Sequence, residues 1–579
     1  MSNISFDGTN FILIQISGLL TADLRMQIRL TQMRLIPILD GREGLPKTNT
    51  ALLYDADCIE VLKWGEPALL QEKRRRKIQE KAQKIHTIER FKLYLDDMMK
   101  QKPFLPSFLD YKKVIIDYLI KMKGVIEETL FRTWPDLSLR QVLFVLSVPA
   151  EWPPPTRAIL RDCAFQAGLI DEDTHSNLEF TTERKMRIQI THRKSRTIVS
   201  TFYAEAAAIH CLSVCNQHGI SESDTFLVVD CGGGTVDLTV RTLLENNKLR
   251  EETVRTGGLC GSTFVDEEFL KFLGRVVGIR ALAQFKEQAY GDLQKLIYRF
   301  FCQHVKLPFT GDPDEFETIE LDLQVQCSTL IQYITGAAKI NLTDEDWVVE
   351  LDYDDIKHMF DPAINEIIKL IDAQLNSVPR HLKIKAMFLV GGFSESLYLT
   401  KRIKETFHNR VPKIAFPRQP VAAIAKGAVS YGLNMQIIDS RIIPWTFGIE
   451  ISDDFDPQND PETLKTQSGR IWRFDPIVQQ GERLKVNEER SKLYQLLQKN
   501  QDAVSFKIFY TKLKDPRFPY QPDVNFLGKL RIILSDKHLF CDSPVEFSLM
   551  FAKEEIKATA RNGITNYSYH TTFKYPFET

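Results

Sequence analysis

Three consecutive glycines with an aspartate on either side constrain this chain more than any other feature. The segment Phe226–Val240 reads FLVVDCGGGTVDLTV. Phe226, Leu227, Val228 and Val229 form the kind of apolar run that fills a buried strand, and the run ends on a carboxylate, Asp230. Gly232, Gly233 and Gly234 then allow a tight turn that residues with a Cβ would follow only with difficulty. Thr235 supplies a hydroxyl, Asp237 a second carboxylate, and Leu238 and Val240 resume a strand. A strand–turn–strand of this composition offers bare backbone N–H groups to an anion and carboxylates to a hydrated cation. The phosphates of a nucleotide with Mg²⁺ meet both demands. A Gly-rich β-hairpin would use the same glycines, but it has no need of an acid on each side.

A second glycine turn follows a second apolar strand. Ala386–Val390 (AMFLV) runs into Gly391, Gly392, Phe393, Ser394, Glu395 and Ser396. Leu397, Leu399, Ile403 and Phe407 then recur at helical spacing with Lys401, Arg402, Lys404 and Glu405 between them. The start of such a helix, with its free N–H groups, suits an anion or a ribose. A plain strand-to-helix connection with Ser394 or Ser396 as N-cap fits the same residues.

Taken together, the two turns resemble the heat-shock protein 70 family of actin-like ATPases. Further segments match that family in the same order: LFVLSVPAEWPPPTRAILRDCAFQAG (143–168), EAAAIHCL (205–212), TGGLCGSTF (256–264) and AAIAKGAVSYGL (422–433). GREGLPKTNTALLYD (41–55), FKLYL (91–95), VKLPFTG (305–311) and FLVGGFSES (388–396) resemble the divergent branch typified by family A member twelve. The resemblance runs from about Gly41 to about Glu450 and more faintly beyond. It implies an α/β fold, a two-lobed actin-like ATPase (ribonuclease H-like) domain followed by a smaller β-rich domain. On this reading residues 1–40 are an atypical N-terminal segment, 41–434 the nucleotide-binding domain with an insertion at 184–204, 435–444 a linker, and 445–579 the β-rich domain.

Site roles follow from the same resemblance. Asp230 and Asp237 would order Mg²⁺ and water, with Asp230, Glu183 and Lys92 as the catalytic set. Gly232, Gly233, Gly234 and Thr235 would cradle the phosphates of ATP or ADP, with Gly258 in the loop behind them. Gly391, Gly392, Ser394 and Lys306 would contact the nucleoside, and Pro149 would take part in switching between domains. The resemblance implies an ATP-binding, chaperone-related protein in the cytoplasm. Its partners would be a nucleotide and an unfolded peptide or partner protein.

The chain departs from the family pattern in three places. The family opens with a strand and Asp-x-Gly-Thr-Thr, a first phosphate turn; residues 1–40 hold only Phe6-Asp7-Gly8-Thr9-Asn10, with no clear apolar strand before it. Arg184–Ala204 (RKMRIQITHRKSRTIVSTFYA) intervenes where the family runs from Glu-Pro straight into an alanine-rich helix, and the proline is missing. By its upstream neighbours the resemblance would make Glu183 the family's water-positioning glutamate, yet Glu205 is the residue beside the alanines. The third departure is at the C-terminus, where no long amphipathic helix follows the β-rich region as the family's lid would. ATP binding is therefore expected and hydrolysis left open, with a non-catalytic pseudo-ATPase scaffold as the alternative.

Composition narrows the classes further. Lys plus Arg number 75 against 76 for Asp plus Glu, a balance that argues against a general nucleic-acid or anionic-membrane binder. No apolar stretch reaches the roughly 18 residues that span a bilayer, and FILIQISGLL (11–20) is short with no basic residue before it, unlike a secretory signal. The 9 cysteines form no C-x-x-C pair, which suits reduced thiols. Cys231 and Cys260 fall in the two phosphate-loop segments, where a redox role competes with simple burial. The basic run Lys73–Lys84 reads as a solvated face or a patch for an acidic partner. Phe360–Leu375 shows core periodicity, and after Trp445 the segments 449–452, 504–510, 529–534 and 544–551 read as strands between turns.

Overall fold

The computed structural model describes residues 12–16, 27–30, 32–35, 50–69, 85–89, 91–95, 105–133, 142–148, 154–169, 197–215, 219–417, 436–495, 503–533, 544–551, 556–562 and 568–572, with isolated positions between 420 and 430. For 12–16, 27–30, 32–35, 142–148 and 197–204 it describes the backbone alone. The architecture is mixed α/β, built on one large mixed sheet.

Among the described residues the N-terminal part carries three small sheets. β1 (Ile12–Ile16) precedes a hairpin of β2 (Gln27–Leu30) and β3 (Gln32–Leu35). β4 (Ala51–Tyr54) lies between the antiparallel partners β5 (Val61–Trp64) and β6 (His86–Glu89). Helix α1 (Tyr111–Thr133) turns Val114, Ile115, Tyr118, Leu119 and Met122 onto Leu52, Tyr54 and Ile88, where they form one core with Leu160 and Cys163 of α2 (Pro154–Gln166). β7 (Val142–Val148) is the centre of a parallel sheet, flanked by β1 and by β8 (Thr197–Phe202), which leads directly into α3 (Tyr203–Cys215).

Two readings of the sequence change here. An apolar strand does exist near the N-terminus, but it follows Phe6–Asn10 instead of preceding it, and its parallel pairing with β7 makes it a sheet strand. The interruption read over 184–204 ends before Thr197, because Thr197–Phe202 pairs residue by residue with Leu143–Val148. The alternating small and β-branched residues of TIVSTF fit a strand; the preceding arginines and lysines masked that signal. Phe6–Asn10, Lys73–Lys84, Pro149, Glu183 and residues 184–196 lie outside the described residues.

The large sheet begins with the glycine turn. β9 (Thr225–Cys231) and β10 (Val236–Leu244) form an antiparallel hairpin, extended by β11 (Lys248–Glu251) and by the short β12 (Thr256–Gly258). Helix α4 (Thr263–Val277) follows, and β13 (Ile319–Asp322) and β14 (Val348–Leu351) pair apart from the main sheet. After helix α5 (Tyr353–Asn376), β15 (Ile384–Val390) runs parallel to β9, and helix α6 (Leu397–Phe407) and β16 (Ile414–Ala415) come next. β17 (Ile438–Ile442) joins the far side, parallel to β11.

β9 is covered on both faces. Leu227, Val229 and Cys231 face the core of α4, α5 and α6, while Phe226 and Val228 face α3 and Phe388. All four residues Phe226–Val229 are 0 % exposed, worth about 1.5–3 kcal/mol each. This is why the strand reads as a continuous apolar run. The helical residues around Gly427 approach so closely that a Cβ there would lie 1.6 Å from the Ala206 carbonyl oxygen of α3.

Among the described residues the C-terminal part is built of strands, with one 3₁₀ turn at Glu462–Leu464. β18 (Thr446–Asp454) pairs with β19 (Arg470–Val478); the short β20 (Arg483–Lys485) leaves to pair with β17 in the large sheet; β21 (Glu489–Tyr494) starts a second layer. β22 (Ala503–Thr511) and β23 (Val524–Ile533) complete a four-stranded sheet in the order β19-β18-β22-β23. β24 (Val545–Phe551), β25 (Ile556–Asn562) and β26 (Ser568–Thr572) complete another, β21-β24-β25-β26. Phe447, Ile449, Phe506 and Ile508 from one sheet and Phe547, Leu549 and Ala558 from the other share a single core.

Candidate functional site

One row of residues crosses the large sheet at the end of its parallel strands. Val390 of β15 pairs with Asp230 of β9, Asp230 with Asp237 of β10, and Asp237 with Gly257 of β12. Ligands of open α/β sheets bind beyond the carboxyl ends of such strands. In β10 the side chains alternate: Val236, Leu238 and Val240 enter the core, while Asp237, Thr239 and Arg241 occupy the opposite face. Asp230 and Asp237 are thus cross-strand neighbours on one face, and both are buried.

The glycines work by close approach. None of Gly232, Gly233 and Gly234 has a positive φ, so the turn does not depend on left-handed backbone, contrary to the expectation from sequence. What it needs is contact with the loop before α4. Gly261 N–H donates to the Gly234 carbonyl at 3.2 Å, Ser262 N–H to Gly232 at 3.1 Å, and Thr263 N–H to Gly233 at 2.8 Å, with the Thr263 hydroxyl on the same oxygen at 2.9 Å. A Cβ on Gly261 would stand 2.4 Å from the carbonyl carbon of Gly233. These bonds turn the carbonyls of the glycine turn toward the N-terminus of α4. Among the described residues no acceptor takes the N–H of Gly233 or Gly234.

The second turn closes on the first. Gly391 has φ +85°, and a Cβ there would lie 2.5 Å from Asp230 Oδ1, so a bare glycine leaves room for the carboxylate. Gly392–Glu395 forms a 3₁₀ turn, and the Ser396 hydroxyl caps α6 by accepting from Leu399 N–H. The buried Ser394 hydroxyl donates back to the Val390 carbonyl. Gly258 pairs with Val236, and its missing Cβ makes room for Leu370 of α5 at 2.9 Å.

Other residues named from the sequence fall as follows. Lys306 ends a π-helical segment, Leu296–Lys306, and its Nζ donates to the Ser262 carbonyl and to Asp266 Oδ1, each at 2.6 Å. Lys92 belongs to a 3₁₀ turn, Phe91–Leu95, and its side chain lies outside the described residues. Burial pushes the Cys231 thiol far up, with Asp230 and Cys260 adding to the shift, and pushes Cys260 up to about 12. Both thiols are protonated at neutral pH and pack as small hydrophobes. The groups that sequence reasoning missed are Gly261, Ser262, Thr263 and Asp266; a Ser-Thr pair ahead of an apolar-periodic helix was the available signal.

Glu205, the other glutamate weighed from sequence, is committed elsewhere. It is fully buried among Arg441, Arg255 and Arg241, with Arg441 Nε and Nη2 on its two oxygens at 2.8 and 3.0 Å. Burial alone would raise its pKa, but Arg441, then Arg255 and Arg241, overcome this and bring it down to about 2. Arg241 also reaches Glu251 at 3.0 Å, and the other Glu251 oxygen accepts from Ile442 N–H at 2.8 Å. The cluster ties α3, β10, β11 and β17 together on the same face as the aspartates.

Two aspartates on neighbouring antiparallel strands, Asp230 and Asp237, thus stand beside interlocked glycine turns, the arrangement that the resemblance to heat-shock 70 proteins implies. Heat shock 70 kDa protein 12A of Mus musculus is 26 % identical over 473 residues, covering 73 % of this chain and 69 % of that protein. Heat shock 70 kDa protein 12B of Homo sapiens is 26 % identical over 494 residues, covering 75 % and 70 %. Human heat shock 70 kDa protein 12A is 26 % identical over 467 residues. No family model matches the chain. The resemblance to the divergent, 12A-like branch of the heat-shock protein 70 family is borne out. Among the described residues no helix is long and apolar enough to cross a membrane.

Proposed function

We propose that the chain is a nucleotide-binding, chaperone-related protein of the heat-shock 70 type, cytoplasmic, with ATP or ADP held where the two glycine turns meet. The observation that carries this is the row Val390–Asp230–Asp237–Gly257, with the N–H groups of Gly233 and Gly234 beside it and no protein acceptor on them among the described residues. Those N–H groups suit phosphate oxygens. The residues also fit a cation, since the missing Cβ of Gly391 gives Asp230 its space. Mg²⁺ would be held by Asp230 and Asp237 with help from phosphate and water, as its preference for few protein ligands allows. When bound it would neutralise phosphate charge. Gly391 and Gly392 would pass closest to the nucleoside. The two-lobed division, the linker role of 435–444 and peptide binding by the β-rich part belong to the same proposal. β17, hydrogen-bonded to β11 on one side and β20 on the other, is the segment through which the two parts would be joined.

A second reading, a pseudo-ATPase that binds nucleotide without turning it over, is favoured by one observation. β1 occupies the sheet beside β7, and the residues after it are Ser17-Gly18-Leu19-Leu20, with no carboxylate. Phosphoryl transfer depends on positioning and charge stabilisation, so losing one of two clamps harms hydrolysis more than binding. Calorimetric titration of the full chain with ADP and ATP in Mg²⁺ tests the main proposal. Micromolar or tighter binding is expected, and no binding by a chain with a cooperative melt overturns it. Single-turnover hydrolysis then separates the two readings.

A further inference from the structure

We propose that Lys306 and Asp266 are a positioning pair that sets the shape of the glycine turn, instead of Lys306 touching the nucleoside; this rests on the nucleotide reading above. Lys306 is 6 % exposed. Its ammonium donates to the Ser262 carbonyl and to Asp266 Oδ1, both at 2.6 Å, and one turn back the Cys302 thiol lies 3.6 Å from the same carboxylate oxygen.

The placement is electrostatically odd, which is what gives it meaning. Asp266 stands in the first turn of α4, where the helix dipole favours an acid and disfavours a lysine. Burying an ammonium costs several kcal/mol unless it is paired and hydrogen-bonded. Here the ammonium has a carboxylate and a carbonyl as partners, and both belong to the segment that donates to the glycine turn. Ser262, whose carbonyl the lysine grips, gives its own N–H to Gly232; the next residue, Thr263, gives two donors to Gly233. Lysine, loop and turn are therefore in series. The π-helical winding of Leu296–Lys306 brings the lysine to this point, and such windings recur at functional positions. Lys306 acts on the phosphate N–H groups through Ser262, and its side chain is already committed.

The test uses the full-length chain and two variants, Lys306→Met and Asp266→Asn. The first readout is hydrogen–deuterium exchange without nucleotide. The amides of Gly261–Thr263, which donate to the turn, are expected to exchange about tenfold faster or more in both variants, in line with loss of a charge-assisted hydrogen bond. The aromatic cluster of Phe309, Phe360 and Tyr398 is expected to keep its protection. The second readout compares ADP with adenosine. ADP affinity is expected to fall about tenfold or more while adenosine affinity holds, a split that general destabilisation would not produce. Unchanged exchange at 261–263 overturns the proposal, and so does an equal loss of ADP and adenosine, which would place the lysine on the nucleoside. Should Lys306→Met not fold, Asp266→Asn decides alone by the same readouts. If the unmodified chain binds neither ligand, the nucleotide reading fails, while the exchange measurement still decides whether the pair holds the turn.

Discussion

An alanine methyl at residue 261 would meet the backbone of Gly233 at 2.4 Å and that of Gly234 at 2.7 Å, and a backbone neighbour cannot swing aside as a long side chain can. Gly261→Ala is expected to push the two loops apart and lower ADP affinity by about tenfold or more; titration calorimetry reads this, and unchanged affinity would mean the loops need not touch. The neighbouring carboxylate answers to a different probe. Asp230→Asn keeps the shape and removes the charge, so Mg·ATP binding should weaken far more than binding of ADP without Mg²⁺. Equal losses would remove the cation role from Asp230. At this scale the sequence was informative about which residues gather and less so about why. FLVVDCGGGTVDLTV announces the strand, the turn and both acids. It does not reveal that the glycines serve contact with Gly261–Thr263, because that contact joins segments about thirty residues apart. Nor does it reveal that Ser394 and Lys306 spend their polar atoms on protein groups.

Among the elements, β17 and α3 are bound more tightly than their sequences suggest. MQIIDSRII reads as a short apolar connector with one arginine, yet Arg441 makes a bidentate pair with Glu205 inside a cluster of buried charges. Removing one partner of a buried pair leaves the other charge uncompensated. Arg441→Met is expected to cost on the order of 3 kcal/mol, read as a lower urea midpoint, with faster amide exchange along Ile438–Ile442. An unchanged midpoint would mean that Arg241 and Arg255 satisfy Glu205 by themselves. β8 shows the converse. Its strand character was present in TIVSTF, but the basic run upstream and the missing proline made it look interposed. Only the pairing with β7 separates core strand from insertion, and register of that kind is not written in either strand alone.

For the whole molecule, acid is the informative stress, and two groups around α3 act in the same direction. Burial, with Lys426 nearby, lowers the His210 pKa from 6.5 to about 4. Between those values the unfolded chain binds a proton that the folded chain does not, so stability falls as pH drops through that interval. The full interval is worth roughly 3 kcal/mol. Glu205, held at about 2 against an ordinary 4.5, extends the fall from 4.5 downward. Thermal melts across this range are expected to decline steadily below pH 6.5, and His210→Gln should flatten the part between 6.5 and 4. A flat profile in the unmodified chain would contradict the burial of both groups. Fold class was legible at this scale, because apolar strands alternating with amphipathic helices and then giving way to short strands can hardly be packed otherwise. How the two parts meet was not.

That meeting has a practical consequence for anyone dividing the chain. β17 is hydrogen-bonded to β11 on one side and to β20 on the other, so the connector is itself a strand of the large sheet. A fragment stopped at residue 434 would lay bare the rim of β11, and bare rims recruit other chains. Such a fragment is expected to clump or to need detergent, and light-scattering during purification would report it. Extending the fragment past Ile442 covers β11 with β17, but keeping β17 paired on its outer side as well requires a stop beyond Lys485, about fifty residues past the boundary that composition suggests. Whoever cuts there will carry part of the second half along, because the sheet does not end where the helices do.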